Sequence, residues 1–198
     1  IALLDRFRAN QIDKEYKINH DVLTGLPNQF LLEKSIEALA KKRHTLTLFV
    51  FEIPQAKDVI PALGQKLAAR FLLQLFNNTE LLVSKLKGAV EIARNEKQPY
   101  HIVRLDDARL AVLFNEALSD EDINMHFMSI KDAISTLITI RGVTMSVGCV
   151  GGVATFPDDS LEESQLLANA LQALALGRKA DKKWAKYQAS QTADIRRR

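Results

Sequence analysis

Tyr100 to Phe114 reads YHIVRLDDARLAVLF, and this stretch decides the fold. Two β-branched and apolar runs, Tyr100 to Leu105 and Leu110 to Phe114, flank Asp106-Asp107-Ala108-Arg109. Such runs around a short polar turn predict a β-hairpin. Upstream, residues 45 to 53 read TLTLFVFEI, apolar on both faces and ended by Pro54. That pattern predicts a central strand covered on both sides. Pro54 stops it because proline has no N–H for a sheet ladder.

Helical patterns surround these strands. Asn28 is placed to cap a helix that carries Leu32, Ile36 and Leu39 on one face and ends in Lys41-Lys42-Arg43. Cations in a last turn oppose the negative end of the helix dipole. Residues 62 to 87 predict one long helix, with Leu67, Phe71, Leu75, Leu82 and Leu86 broadly on one face. Ser119 starts another, with Asp120, Glu121 and Asp122 in its first turn and a stripe of Ile123, Phe127, Ile130, Ile134 and Leu137. A stripe at that spacing is a core face. Residues 143 to 156 are strand-like, with Gly148, Gly151 and Gly152 marking a bulge or a break into two short strands. A last helix is predicted from Leu161 to Tyr187, and Gln188 to Arg198 reads as a polar linker. Leu4, Phe7, Ile12 and Tyr16 in residues 1 to 19 fit a leading amphipathic helix or a tail folded back on the domain. The order predicts an α/β domain with a mixed, mainly antiparallel central sheet flanked by helices.

The chain has 198 residues, 47% hydrophobic and 26% charged, enough for one well-buried domain. A net charge of +3 is too small to argue for nucleic acid. No apolar run reaches the length of a membrane span, and no secretory pattern opens the chain. The one cysteine, Cys149, excludes an internal disulfide and is expected as a small buried strand residue. The histidines His20, His44, His101 and His126 are scattered, without zinc spacing. The composition fits a cytoplasmic segment. The first residue, Ile1, and the terminal Arg196-Arg197-Arg198 read as the ends of a piece of a longer protein, one that carries any membrane anchor elsewhere.

Four landmarks in order resemble the GGDEF family of cyclic-di-GMP synthases. Asp21 to Asn28, DVLTGLPN, resembles the family's opening motif. Val103 to Phe114 has the frame of its signature hairpin. Gly151 to Asp159, GGVATFPDD, is similar to its late strand, and Leu166 to Tyr187 to its last helix. The resemblance implies a nucleotidyl-cyclase-like fold over residues 20–187. In the family two such domains meet, each holding GTP with magnesium, and the 3′-oxygen of one nucleotide attacks the α-phosphorus of the other.

The resemblance also implies where that chemistry is missing. The signature's two glycines, which let a phosphate approach the backbone, fall on Asp106 and Asp107. Its acidic position falls on Ala108, its glutamate on Arg109, and its last position on Leu110. Arg109 is expected to oppose a divalent ion, or to pair with Asp106 or Asp107 in a self-satisfied turn. Glu52 stands at the metal-binding aspartate of the first strand and is the residual carboxylate; Pro54 stands at the second. The guanine-reading positions are Ile60 and Ala69, which offer no side-chain acceptor. Lys57, Arg178 and Lys182 retain charge at phosphate-contacting positions, where a solvated basic face is the favoured reading and a weak anion site the other. The inhibitory product site falls on Lys97 and Tyr100, and no product site is expected. The chain is also longer than the family within Asn77 to Pro99.

The expectation is therefore a catalytically inactive GGDEF domain, a regulatory or dimerisation module with no cofactor. GTP with Mg²⁺ enters only under the alternatives, an allosteric GTP binder without turnover or an active cyclase. The expected partners are neighbouring domains of the parent, an EAL domain after residues 188–198 above all, and a second copy of the domain. No nucleic acid and no direct membrane contact are expected.

Overall fold

A computed structural model describes residues 14–42, 44–140 and 142–188. The predicted leading helix falls largely outside these residues, though 14–19 are helical; the linker beyond Gln188 lies outside them too. Helix α1 (Gln29–Lys41) is capped by Asn28, whose Oδ1 accepts the Leu31 N–H at 3.2 Å. Strand β1 (Leu46–Glu52) follows and is buried along its whole length.

The helix predicted over 62–87 is α3 (Gln65–Val83), which ends earlier than expected, and it is preceded by a separate helix, α2 (Ala56–Leu63), that the sequence pattern did not predict. Gly64 separates them at φ 69°, a left-handed conformation cheap only for glycine. Strands β2 (Ala93–Arg94) and β3 (Pro99–Tyr100) pair as a small two-stranded ribbon. The predicted hairpin is β4 (Ile102–Arg104) and β5 (Arg109–Phe114). Helix α4 (Asp120–Ile134) is capped by Ser119 and buries Ile123, Phe127, Ile130 and Ile134. Leu137 leaves the stripe because the helix has already ended, and its side chain is 65% exposed.

Strands β6 (Ile138–Ile140) and β7 (Val143–Met145) form their own hairpin, and β8 (Val150–Phe156) joins the main sheet. The 143–156 stretch is thus two strands in different sheets. Cys149 is buried as expected, but in the irregular link before β8 rather than in a strand. Burial pushes its thiol up to about 12, with smaller influences from Lys131 and Asp132.

The last predicted helix is also shorter. A 3₁₀ turn (Glu163–Gln165) leads into α5 (Leu166–Lys179), and β9 (Trp184–Lys186) replaces the remainder. Asp181, at φ 51°, turns the chain out of the helix. The chain then pairs in parallel with β8, through Gly151 N–H to Lys183 O at 2.9 Å and Tyr187 N–H to Val153 O at 2.7 Å. This pairing gives backbone groups of β8 on that side partners within the chain.

The main sheet has the order β4-β5-β1-β8-β9, antiparallel except for β8–β9. Its fold is therefore the mixed, mainly antiparallel sheet flanked by helices. Alternation on β1 sends Phe49 and Phe51 into one apolar layer with Phe71, Leu75 and Phe127. Leu46, Leu48 and Val50 face the other layer, with Leu32 and Ile36 of α1 and Ala170 and Leu174 of α5. Among the described residues no helix is long and apolar enough to cross a membrane.

Gly152 marks where β8 meets α5 most closely. A Cβ there would lie 2.2 Å from the Ala170 carbonyl oxygen and 2.3 Å from the Leu174 nitrogen, both backbone atoms. Gly152→Ala should destabilise the domain by about 1–3 kcal/mol, the usual range for overpacking. A urea unfolding midpoint equal to that of the parent chain would show that the contact is looser than this.

Candidate functional site

The antiparallel register sets Glu52, the last residue of β1, opposite Arg109, the first residue of β5. The Ile53 N–H bonds the Ala108 carbonyl at 2.8 Å, which draws the hairpin turn onto the end of the central strand. The positions expected to carry the signature, Glu52 and the start of α2 therefore share one corner of the sheet.

The turn satisfies itself. Asp106 Oδ1 accepts the N–H groups of Ala108 and Arg109, both at 2.9 Å. Its Oδ2 accepts Arg109 Nε at 2.6 Å and also pairs with Arg109 Nη2. An aspartate that bonds the backbone two residues on is a turn former in its own right. Of the two expected partners, Arg109 takes Asp106. Asp107 pairs instead with Arg104, Nη2 to Oδ1 at 2.6 Å. Ala108 points inward and belongs to the core layer that contains Phe51 and Leu110.

Arg104 was not singled out by the sequence as a site residue, yet it joins the two halves of the corner. Its side chain is 5% exposed. Nη1 reaches Asp21 Oδ1 at 2.5 Å, Nη2 reaches Asp107, and Nε donates to the Asp106 carbonyl at 3.2 Å. Its own N–H donates to the Pro27 carbonyl at 2.9 Å. Asp21 accepts in addition the Thr24 N–H at 2.8 Å and hydroxyl at 2.6 Å. The octapeptide is thus a closed turn pinned to the hairpin by a buried guanidinium. A lone arginine between the apolar Ile102-Val103 and Leu105 was the available signal.

Glu52 carries the second ionic cluster. Its side chain is 4% exposed, Oε1 bonds Lys57 Nζ at 2.8 Å, and Oε2 bonds Arg178 Nη1 at 2.9 Å. Two of the three cations expected at phosphate-contacting positions, Lys57 and Arg178, are therefore engaged by Glu52. Lys182 lies beyond the end of α5, exposed, with its backbone N–H on the Gly177 carbonyl at 2.9 Å. It is not part of the cluster.

The remaining positions are dispersed. Ile60 is partly buried against the core, and Ala69 is half-buried on α3. Lys97 and Tyr100 sit on the β2–β3 ribbon. There Asn95 closes the turn, accepting the Lys97 and Gln98 N–H groups and donating to the Tyr100 hydroxyl, each at 2.8 Å. A further buried carboxylate, Glu80 of α3, accepts the His101 and Ile102 N–H groups and meets His101 Nδ1 at 2.6 Å. It fixes the start of β4. An acid within the apolar face of α3 was the only sequence sign of it.

The sequence profile of the family "Diguanylate cyclase, GGDEF domain" matches residues 18–183. The chain belongs to the GGDEF family. A search of curated proteins gave no match. Solved structures share the fold at low identity. The GGDEF domain of TpbB (YfiN) from Pseudomonas aeruginosa is 18% identical with a TM-score of 0.69, covering 89% of this chain and 99% of that one. The coiled coil and GGDEF domain of DgcB from Caulobacter crescentus, in complex with c-di-GMP, is 16% identical with a TM-score of 0.70, covering 93% and 94%. Diguanylate cyclase SiaD from Pseudomonas aeruginosa, in complex with its activator SiaC, is 20% identical with a TM-score of 0.65, covering 93% and 68%.

The ionic corner has a pH signature. Burial alone would raise the Asp21 carboxyl, but the Thr24 and Arg104 hydrogen bonds outweigh it and hold the group below its ordinary 3.8. Asp106 is likewise lowered, with burial outweighed by Arg109 and the Ala108 N–H. A carboxylate depressed in the folded state stabilises it above the unfolded value and loses that contribution as pH falls through the folded value. Asp21→Asn should therefore cost about 1–3 kcal/mol near pH 7, the range for hydrogen bonds to a charged group. The deficit against the parent chain should shrink as pH falls below 3.8. Urea titrations at several pH values check this, and a deficit that stays constant into acid would rule out the ionic origin.

Proposed function

We propose that this GGDEF domain makes no cyclic-di-GMP and works as a regulatory or dimerisation module within a cyclic-di-GMP signalling protein. The observation that carries the reading is the Glu52 cluster. The synthase reaction needs carboxylates free to hold a divalent cation against triphosphate. Both oxygens of Glu52 are instead occupied by Lys57 and Arg178, and the two signature acids are replaced by a core methyl, Ala108, and a cation, Arg109. These residues do not fit magnesium-bound GTP. The turn argues the same way, since Asp106 and Asp107 place carboxylates where a phosphate needs bare backbone. Ile60 and Ala69 leave guanine without side-chain acceptors, so a nucleotide would bind with its polar edge unpaired.

The partner in this reading is a neighbouring domain, with an EAL phosphodiesterase following residues 188–198 as the first choice, or a second copy of this domain. The cytoplasm is its compartment. That SiaD was solved with its activator SiaC supports protein contact as a mode of control available to this fold. A GTP binder without turnover is the second reading. It draws on Lys57 and Arg178, whose side chains are 58% and 55% exposed and so able to turn towards an anion.

Calorimetric titration with GTP plus Mg²⁺ and with cyclic-di-GMP, beside a product assay, separates these readings. No product and no micromolar binding are expected. Micromolar GTP affinity without product would carry the second reading, and product formation would overturn the first. The variant with Asp106→Gly, Asp107→Gly, Ala108→Asp and Arg109→Glu together should still form no product, because the clamp on Glu52 and the apolar Ile60 and Ala69 remain. Circular dichroism confirms that it folds, and recovered synthesis in a folded variant would refute the role given to Ile60 and Ala69.

A further inference from the structure

A groove of about 400 Å³ lies between α1 and the turn that leads into α5, and none of its lining residues belongs to the corner described above. Its apolar surface comes from buried Ile36 and Leu167 and from Phe30, which is 44% exposed. Glu33, Glu37 and Glu163 line it with one cation, Lys34, whose Nζ sits 4.5 Å over the Phe30 ring. The groove is therefore acidic in a chain of net charge +3. Glu37 pairs with Lys41, and Glu33 accepts the Gln29 amide, both at the exposed surface. Such surface contacts are worth little and exchange readily for better partners.

One segment of this chain has the complementary chemistry. Residues 189 to 198, ASQTADIRRR, lie outside the described residues and combine a single large apolar side chain, Ile195, with Arg196, Arg197 and Arg198. The last described residues belong to the same side of the sheet as the groove. Tyr187 is buried in the same apolar layer as Ile36 and Leu167. Strand β9 runs parallel to β8, and β8 continues through Phe156 towards the turn that carries Glu163. Ten further residues span up to about 33 Å when extended, at roughly 3.3 Å each.

We infer that residues 189–198 dock in this groove, with Ile195 against Phe30, Ile36 and Leu167 and the three arginines against Glu33, Glu37 and Glu163. The contact steers the chain as it leaves the domain and so orients whatever segment follows. Matched charge of this kind sets register and is weakened by salt.

Amide NMR spectra of the 198-residue chain test the inference. Arg196→Ala, Arg197→Ala and Arg198→Ala together should shift the resonances of Phe30, Glu37 and Ser164. Glu33→Gln with Glu163→Gln should in turn shift those of Ile195 to Arg198 and speed tryptic cleavage after Arg196 by several-fold. Salt at 0.5 M should reproduce both changes, as expected when screening shortens the reach of charge to a few ångströms. Shifts confined to the neighbours of Tyr187, or cleavage rates equal in the two chains, would overturn the inference. Groove shifts that grow with protein concentration would also overturn it, since they would assign the groove to a second copy.

Discussion

A charge taken out of water has to be matched, and this constraint organises the corner on which the domain is built. Arg104, Glu52 and Glu80 are 5%, 3% and 8% exposed, and each is matched by groups from elsewhere in the chain. Arg104 ties the turn at Asp21 to the hairpin at Asp107. Glu52 ties the end of β1 to α2 through Lys57 and to α5 through Arg178. Glu80 ties α3 to the start of β4. Apolar burial supplies most of the driving force, but it is non-directional. The ionic links have direction, and they decide where the strand ends and helix ends meet.

The apolar pattern carried most of the fold, and its misses have local causes. The stripe Ile123, Phe127, Ile130 and Ile134 was readable because helical period and burial coincide. Leu137 continued the spacing without continuing the helix, because spacing does not register where backbone hydrogen bonds stop. The helix expected over 62–87 missed its interruption because Gly64 is tolerable inside a helix and decisive only in the left-handed conformation it adopts. Strand β9 was hidden because Lys182 to Tyr187 has no alternation of its own. It is extended because β8 offers it backbone partners.

The site divided in the same way. Residue types at signature positions were readable one by one, and so was the prospect that Arg109 would pair within its own turn. The pairing of Glu52 with Arg178 was not, because 126 positions separate them and a sequence does not state which charges fold together. Lys57, Arg178 and Lys182 therefore looked alike as surviving cations. Geometry separates them: two are held by the carboxylate, and the third lies past the helix end.

That separation bears on how the corner keeps its shape. A carboxylate at the end of β1 that met no cation would be a buried, unmatched charge, and breaking a buried pair in this way typically costs about 3–5 kcal/mol. In a metal-binding corner the ion itself supplies the match. Here Lys57 and Arg178 supply it from within the chain, so the corner needs no ligand to be stable. The hairpin follows the same logic, since Asp106 and Arg109 satisfy each other across the turn. Under the proposed reading, what is retained is a rigid platform whose charges are internally balanced. Such a platform can present constant surfaces to a neighbouring domain whether or not a nucleotide is present.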